Sequence, residues 1–193
     1  MAARLLVCVA LSSCAALPVI DLSATAFPAV DVRPIAAPGL SVTVAPGAVT
    51  KREYASGSPN YGLDYAVGDA ERRYAKAVAS ALFTGAQFDR SPATGQAELR
   101  LTSFTHILIP RSTGTLPDVT DEVTAKWVLT SPAGTEMRRF VFVGSESGVT
   151  RGGLAPAQAE RGQVRASAAI QALFRRTVEG LVSAPEFAQI GAR

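Results

Sequence analysis

The chain has 193 residues, of which 48% are hydrophobic and 18% are charged, and its formal net charge is +3. This length suits one domain, and the composition is too apolar for a disordered chain. The basic residues are scattered among acidic ones, whereas a nucleic-acid binder concentrates them in a patch or arm, so we expect no nucleic acid as partner. No apolar run reaches the roughly 18–20 residues that span a bilayer.

The first fourteen residues have the layout of an export signal. Arg4 is the only charge before Asp21, and the apolar run 5–11 and two serines follow it. A positive start, a short apolar stretch and small residues at its end are typical of a secretory leader. A plain leader cut near Ala15 or Ala16, or a buried first strand, are the alternatives.

Both cysteines, Cys8 and Cys14, lie inside this leader region. The body of the chain therefore has neither a disulfide framework nor a cysteine-ligated metal site.

The run Leu11-Ser12-Ser13-Cys14 resembles the lipobox of bacterial lipoproteins. The resemblance implies a signal peptide over residues 1–13, a diacylglycerol on the Cys14 thiol and cleavage before that cysteine. Ala15, where an aspartate would signal retention at the inner membrane, implies the periplasmic side of the outer membrane. Two or three acyl chains would give a stable anchor.

Residues 14–39 form a proline-rich tether in this interpretation, with four prolines between residues 18 and 38. Proline at this density breaks regular elements and stiffens a chain. The apolar residues among them, such as Ile20, Leu22 and Phe27, exceed what a free tether needs. The sequence leaves open whether the segment is free or packs along the domain as an edge strand.

The first elements of the domain are a strand and a helix. Alternation over residues 40–44 predicts a half-buried strand, followed by a polar loop to about Val67. Asp69 can cap a helix whose apolar residues recur at helical spacing from Ala70 to Leu82, and Gly85 is placed to end it.

Three strands follow in the sequence. In residues 97–109 the apolar side chains alternate along a strand, and the alternation shifts by one residue near Thr102-Ser103, which predicts a bulge. Residues 123–130 and 137–143 flank a Ser-Pro-Ala-Gly turn and predict a hairpin.

The last helix begins near Pro156 and ends before Pro185. Its predicted apolar stripe comprises Ala166, Ala169, Ile170, Leu173, Phe174, Thr177, Val178 and Leu181. We expect Arg161, Arg165, Arg175, Arg176 and Glu179 on the opposite, solvated face.

The order β-α-β-β-β-α predicts an α+β fold: a two-layer sandwich of a mostly antiparallel sheet of about four strands and two amphipathic helices. The domain would cover residues 40–185, followed by a tail over 186–193. This element order, together with the lipobox, resembles lipopolysaccharide-assembly and transport-auxiliary lipoproteins of the Gram-negative envelope. No residue motif inside the domain supports the resemblance, so no functional residue is transferred.

The sequence predicts neither a catalytic nor a metal site. His106 is the single histidine, and we expect its ring to be satisfied inside a strand. The run 144–148 places Glu146 where a nucleophile elbow needs serine, which indicates a flexible loop after the last strand. Asp118, Asp121 and Glu122 are more typical of a solvated loop than of a cation site. We therefore expect no enzyme activity, no cofactor and no metal.

The loop from Thr50 to Val67 is the candidate binding surface. It holds Lys51, Arg52, Tyr54, Tyr61 and Tyr65. Exposed tyrosine and arginine often anchor interfaces. The alternative is that the tyrosines cover the sheet edge and close the core.

Two functions fit these patterns. One is a non-catalytic, lipid-anchored envelope protein with an interaction, assembly or auxiliary role and a probable protein partner. The other is a binding protein for a small amphiphile, a glycan or a lipid headgroup. A closed core favours the first, and an apolar cavity between sheet and helices favours the second.

Overall fold

The computed structural model describes residues 19–49, 53–54, 64–112, 117–149 and 155–191. The predictions about the leader, Cys14, Lys51, Arg52 and Tyr61 concern residues outside these ranges. The elements are β1 (Val19–Asp21), a 3-10 turn (Leu22–Ala24), β2 (Ile35–Ala36), β3 (Leu40–Val44), β4 (Glu53–Tyr54), β5 (Asp64–Ala66), α1 (Ala70–Leu82), β6 (Phe83–Thr84), β7 (Gln87–Phe88), β8 (Ala97–Ser112), β9 (Pro117–Thr130), β10 (Glu136–Val149), α2 (Ala155–Val182) and α3 (Glu186–Gly191). Within these ranges no helix is both long and apolar enough to cross a bilayer.

The main sheet has the strand order β10-β9-β8-β3-β7, and β4 pairs with the far half of β8. The predicted α+β class and element order are present as β3-α1-β8-β9-β10-α2. The sheet is mixed rather than mostly antiparallel, and it has more than four strands. β8 runs antiparallel to β9 but parallel to β3, because α1 lies in the crossover between β3 and β8.

The predicted bulge is confirmed. The register between β8 and β9 shifts between Leu101 and Ser103, so one extra residue sits in β8. Leu101 before the shift and Phe104 after it are both buried. The extra residue keeps both halves of this long strand directed at the same core.

The predicted hairpin of β9 and β10 is also confirmed, but both strands are longer than expected. The interpretation of residues 144–148 as a flexible loop was wrong, because they continue β10 to Val149. Gly144 lies directly under α2, where a Cβ would overlap backbone atoms of Ala169 and lie 2.7 Å from Leu173 Cα. Glycine here permits a close approach of helix and strand rather than loop flexibility.

The two long helices bury the faces that the sequence predicted, with small differences at their ends. Asp69 directly precedes α1, but its side chain makes no capping hydrogen bond. α1 ends at Leu82, before Gly85, because Phe83 adopts an extended conformation and pairs with Ile35 of β2. All eight residues of the predicted α2 stripe are buried.

The core between sheet and helices is filled by aromatic side chains. The ring of Tyr74 from α1 lies 5.4 Å from that of Phe104 and 5.9 Å from that of Trp127. Its hydroxyl lies 2.5 Å from Thr177 Oγ1 of α2. Phe174 is also buried, with its ring 5.2 Å from that of Phe27. The Tyr74 phenol thus has a hydrogen-bond partner in the closed interior.

The N-terminal segment packs along the domain over residues 19–39, which settles the alternative left open for these residues. β1 pairs in parallel with β5, and Ile20 and Leu22 are buried. Polar side chains one turn apart on α2 bond to the segment: Gln163 joins both backbone groups of Asp21 at 2.8 Å, Ser167 pairs with Thr25, and Gln171 donates to the Ala26 carbonyl.

Candidate functional site

The predicted binding loop divides in the structure. Tyr54 lies in β4, opposite Leu108 of β8, and its side chain is outside the described set. Tyr65 lies in β5 and is only 6% exposed. Its ring belongs to the core, which is the alternative that the sequence left open for this tyrosine.

Tyr65 lies in a buried polar cluster with His106, Asp121 and Arg165. The Nε2 nitrogen of His106 lies 2.6 Å from Oδ1 of Asp121, and Arg165 Nε donates to Oδ2 of the same carboxylate. The Tyr65 and His106 rings are 4.7 Å apart. The side chains of His106, Asp121 and Arg165 are 3%, 0% and 6% exposed, so these charges and dipoles compensate one another away from water.

Two sequence interpretations are corrected by this cluster. Asp121 does not lie in a solvated loop: it lies in β9, with Asp118 and Glu122 half-buried beside it. Arg165 does not lie on the solvated face of α2. Among the described residues no three potential metal ligands come together, and Asp121 neutralises a guanidinium instead.

The strand register brings the cluster together. His106 pairs with Val123, and Asp121 pairs with Leu108, so His106 and Asp121 are diagonal neighbours on one face of the sheet. The alternation of apolar residues along β9 could have predicted that Asp121 is buried, because its side chain lies on the same face of the strand as Val119 and Val123. Arg165 likewise lies four residues before Ala169 of the buried stripe, which places it on the buried face of α2. It was assigned to the solvated face because it is charged.

All four side chains of the cluster are buried. One oxygen of Asp121 accepts from Arg165 Nε, and the other lies 2.6 Å from His106 Nε2. Burial raises the pKa of the Tyr65 phenol, the nearby Asp121 charge raises it further, and Arg165 opposes the shift. The prediction that the His106 ring is satisfied is confirmed.

A groove with a volume of about 530 Å³ opens beside this cluster, between the end of β10 and the N-terminal part of α2. It is lined by Glu146, Ser147, Gly148, Glu160, Arg161, Val164, Arg165 and Ala168. Sequence reasoning did not indicate this site, because its walls come from residues that were assigned to a loop and to a solvated helix face.

The sequence matches no protein-family profile and no curated protein. Solved structures that overlay on the chain include a minor lipoprotein from Acinetobacter baumannii, at a TM-score of 0.44 and 15% identity over 79% of this chain and 90% of that one. Rare lipoprotein B from Shewanella oneidensis overlays with a TM-score of 0.47 and 13% identity, over 78% of this chain and 98% of that one. A Helicobacter pylori protein described as homologous to a neuraminyllactose-binding hemagglutinin overlays with a TM-score of 0.47 and 11% identity, over 86% of this chain and 97% of that one. Bacterial lipoproteins thus recur among these structures, and we transfer no function from likenesses of this degree.

Proposed function

We propose that the chain is a non-catalytic lipoprotein of the bacterial envelope, anchored through Cys14 on the periplasmic side of the outer membrane, with an interaction, assembly or auxiliary role. The observation that carries the choice of an interaction role is the closed interior. Tyr74, Phe104, Trp127 and Phe174 are each at most 2% exposed. A carrier that encloses its ligand between sheet and helices would need apolar space there.

The packed N-terminal segment supports an anchored position. Five residue steps separate Cys14 from Val19, the first described residue of the fold. Even a fully extended chain spans at most about 18 Å over that distance. A lipid on Cys14 would therefore hold the domain close to the membrane surface, with the N-terminal part of α2 nearby.

The geometry of His106 supports a non-catalytic role. Its side chain is 3% exposed, and its Nε2 nitrogen is committed to Asp121. A general base must reach the proton that it abstracts, directly or through one water. This ring lacks the exposure for that task.

Intact-mass analysis of the native protein tests the anchor. We expect a chain that begins at Cys14 and carries acyl groups, and a Cys14→Ser variant that stays unprocessed or unlipidated. Cys8→Ser is the matched control and should be processed normally. A mature protein that begins at Ala15 or later and is free in the periplasm would contradict the proposal.

We propose the surface of Lys51, Arg52, Tyr54 and Tyr61 as the contact with an envelope protein. This proposal is supported by the clustering, in one loop, of tyrosine and arginine, which often anchor protein interfaces. Arg52→Ala combined with Tyr61→Ala should leave the melting temperature nearly unchanged and abolish in-cell cross-linking to the native partner. Unchanged cross-linking would place the contact elsewhere on the protein.

The second candidate function is the binding of a small amphiphile, glycan or lipid headgroup. The groove beside Arg165 favours it, since its volume of about 530 Å³ falls in the range of ligand sites. It differs from an internal carrier site because it lies on the surface of the sandwich rather than between its layers.

A further inference from the structure

The main sheet has one face that no helix covers in the part of the chain that the structure describes. Both long helices pack on the face that carries Trp127 of β9, where Tyr74 of α1 meets Thr177 of α2. Since the side chains of a strand alternate between faces, the positions between the buried ones point the other way. We call this second surface the open face; its central residues are half-buried or exposed, and they are Ser103, Thr105 and Ile107 of β8, Glu122, Thr124, Lys126 and Val128 of β9, and Val141, Val143 and Ser145 of β10.

The centre of the open face is largely apolar and β-branched. Val141 is 59% exposed, and Val143 and Thr124 lie directly opposite each other in the register of β9 and β10. Such side chains occupy few rotamers, so they lose little entropy when another surface covers them. A flat patch of this kind suits the face of another sheet, because sheets stack face to face with their strands nearly aligned.

Two charges of opposite sign stand on this patch without a partner. Lys126 is exposed and Glu122 is half-buried, and neither side chain has a hydrogen bond or an ion pair within the described ranges. They lie on either side of Thr124 along β9, about 14 Å apart, so they do not neutralise each other. The arginines that flank Lys126 at this end of the sheet, Arg100 and Arg139, each pair with a carboxylate of their own strand. Lys126 therefore keeps its charge available to a partner.

A second copy of the chain can satisfy both charges at once. A two-fold axis that passes through Thr124, in the plane between two stacked sheets and across their strands, reverses the strand direction. It sets Lys126 of each copy over Glu122 of the other, across the roughly 10 Å between stacked sheets, a distance that the two side chains bridge together. An axis along the strands would instead set Lys126 over Lys126, and like charges repel.

We propose that the open face binds the open face of a second copy, with the strands of the two sheets antiparallel, and that the protein forms a homodimer with two Lys126–Glu122 ion pairs. The interface is isologous, because each copy contributes the same residues to it. Val143 and Thr124 meet their own counterparts at the axis. Since the contact is one flat sheet face of modest area, we expect a weak dimer with a Kd of about 0.1 mM.

The dimer does not depend on the proposed anchor at Cys14, but it constrains how an anchored pair would lie. Gln163 bonds the backbone of Asp21, so the chain enters the domain beside the N-terminal part of α2. This part of α2 lies over the Glu122 end of the sheet, where Arg165 reaches the neighbouring Asp121. The two-fold axis sets the two entry points at opposite ends of the dimer. Two anchored chains would therefore reach one bilayer with their strands along its surface.

Sedimentation equilibrium of the full chain, in density-matched non-ionic detergent and at concentrations up to about tenfold above the expected Kd, tests the dimer. We expect a reversible equilibrium between monomer and dimer. Lys126→Glu and Glu122→Lys should each weaken dimerisation by about tenfold or more, since each variant replaces two attractive contacts with two repulsive ones. A monomer at every concentration, or a dimer that either reversal leaves unchanged, would overturn the proposal.

Mixing the two variants tests the orientation of the copies. Lys126→Glu has acidic residues at both positions and Glu122→Lys has basic ones, so an equimolar mixture should form a heterodimer at least as tight as the wild-type dimer. The double variant with both reversals should dimerise like the wild type. Failure of either to dimerise would contradict the antiparallel arrangement.

Two controls separate this effect from changes in net charge or in folding. Lys76→Glu on α1 and Glu179→Lys on α2 reverse exposed charges on the helical side of the sandwich, and both should leave dimerisation unchanged. The melting temperature of every variant, measured at a dilution where the dimer dissociates, should match that of the wild type.

Zero-length coupling with a carbodiimide locates the contact. In a mixture of light and heavy isotope-labelled chains, we expect an amide between Lys126 of one isotopic form and Glu122 of the other. The separation of about 14 Å within one copy prevents this link inside a single chain. Cross-linked dimers that lack the Lys126–Glu122 link would place the interface elsewhere and overturn the assignment.

Discussion

At the scale of single residues, the least expected feature is a charged group that the fold buries completely. Asp121 is 0% exposed and joins a histidine from β8 to an arginine from α2. Such a cluster ties sheet to helix at one end of the molecule. Its members depend on one another, because removing one leaves the rest without compensation in a medium of low dielectric.

Asp121→Ala should lower the free energy of unfolding by about 3–5 kcal/mol, because it leaves the Arg165 charge buried and unpaired. Glu122→Ala, at the next position of the same strand, should cost no more than about 0.5 kcal/mol, since Glu122 is half-exposed. Denaturant titration of the two variants measures both. Adding Arg165→Met to Asp121→Ala should recover part of the loss, and strictly additive losses would refute the coupling.

The two buried tyrosines make stability sensitive to alkaline pH. Burial raises the pKa of Tyr65 and of Tyr74 above the ordinary tyrosine value of about 10. The unfolded chain therefore loses these protons first as pH rises. Their contribution is complete below about pH 10 and declines above it, by about 1.4 kcal/mol per pH unit for each tyrosine.

Tyr74→Phe should accordingly halve this alkaline slope of unfolding free energy, apart from a constant offset for the lost hydrogen bond to Thr177. Denaturant titrations between pH 9 and 11.5 measure the slope. An unchanged slope would mean that Tyr74 ionises in the folded state as easily as in the unfolded one.

At the scale of elements, the contact between β10 and α2 depends on glycine on both sides. Gly144 of β10 lies against the α2 backbone, and Gly180 of α2 lies against the ring of Phe142, where a Cβ would be 2.9 Å from Cζ. Interiors this dense tolerate added volume poorly. The two glycines fix how closely this helix approaches the sheet.

Gly144→Ala should destabilise the protein by about 3 kcal/mol or more, because its Cβ would overlap backbone atoms that no rotamer change can move. Gly148→Ala, four residues along the same strand, should be nearly neutral, since its Cβ would meet Arg165 Cδ at an ordinary 3.5 Å. Thermal unfolding of both variants checks the contrast. Similar melting temperatures would mean that α2 can move away from β10 at little cost.

At the scale of the whole molecule, the N-terminal segment would determine how close the domain lies to the proposed anchor at Cys14. The segment adds β1 to β5 and buries Ile20 and Leu22. The polar row on α2 then holds the residues that follow, and Phe27 adds an apolar contact with Phe174. If Cys14 carries the proposed lipid, release of this segment would lengthen the reach of the domain from the membrane.

Gln163→Ala should raise amide hydrogen exchange at Ile20 and Asp21 by about tenfold, since it removes two backbone hydrogen bonds of Asp21. Exchange at Trp127 in the core should stay unchanged. Arg175→Ala, an exposed α2 residue outside this contact, is the control. Unchanged exchange at Ile20 would show that apolar burial alone holds the segment.

What the sequence determined by itself was local. Period-two and period-3.6 patterns placed β3, β8, both long helices and the β9–β10 hairpin, and a parity switch located the bulge at residue 102, because side-chain direction follows directly from backbone geometry. The satisfied ring of His106 was also predictable, although its partner was not.

What only the tertiary structure decided depends on which segments meet. Asp121 and Arg165 stood at buried positions of their own periodic patterns, but a charge is buried only where a partner 44 residues away in sequence compensates it. Gly144 resembled a loop glycine until a helix was packed against it. The groove exists because β10 and α2 adjoin there, and a one-dimensional pattern contains no distance between two elements.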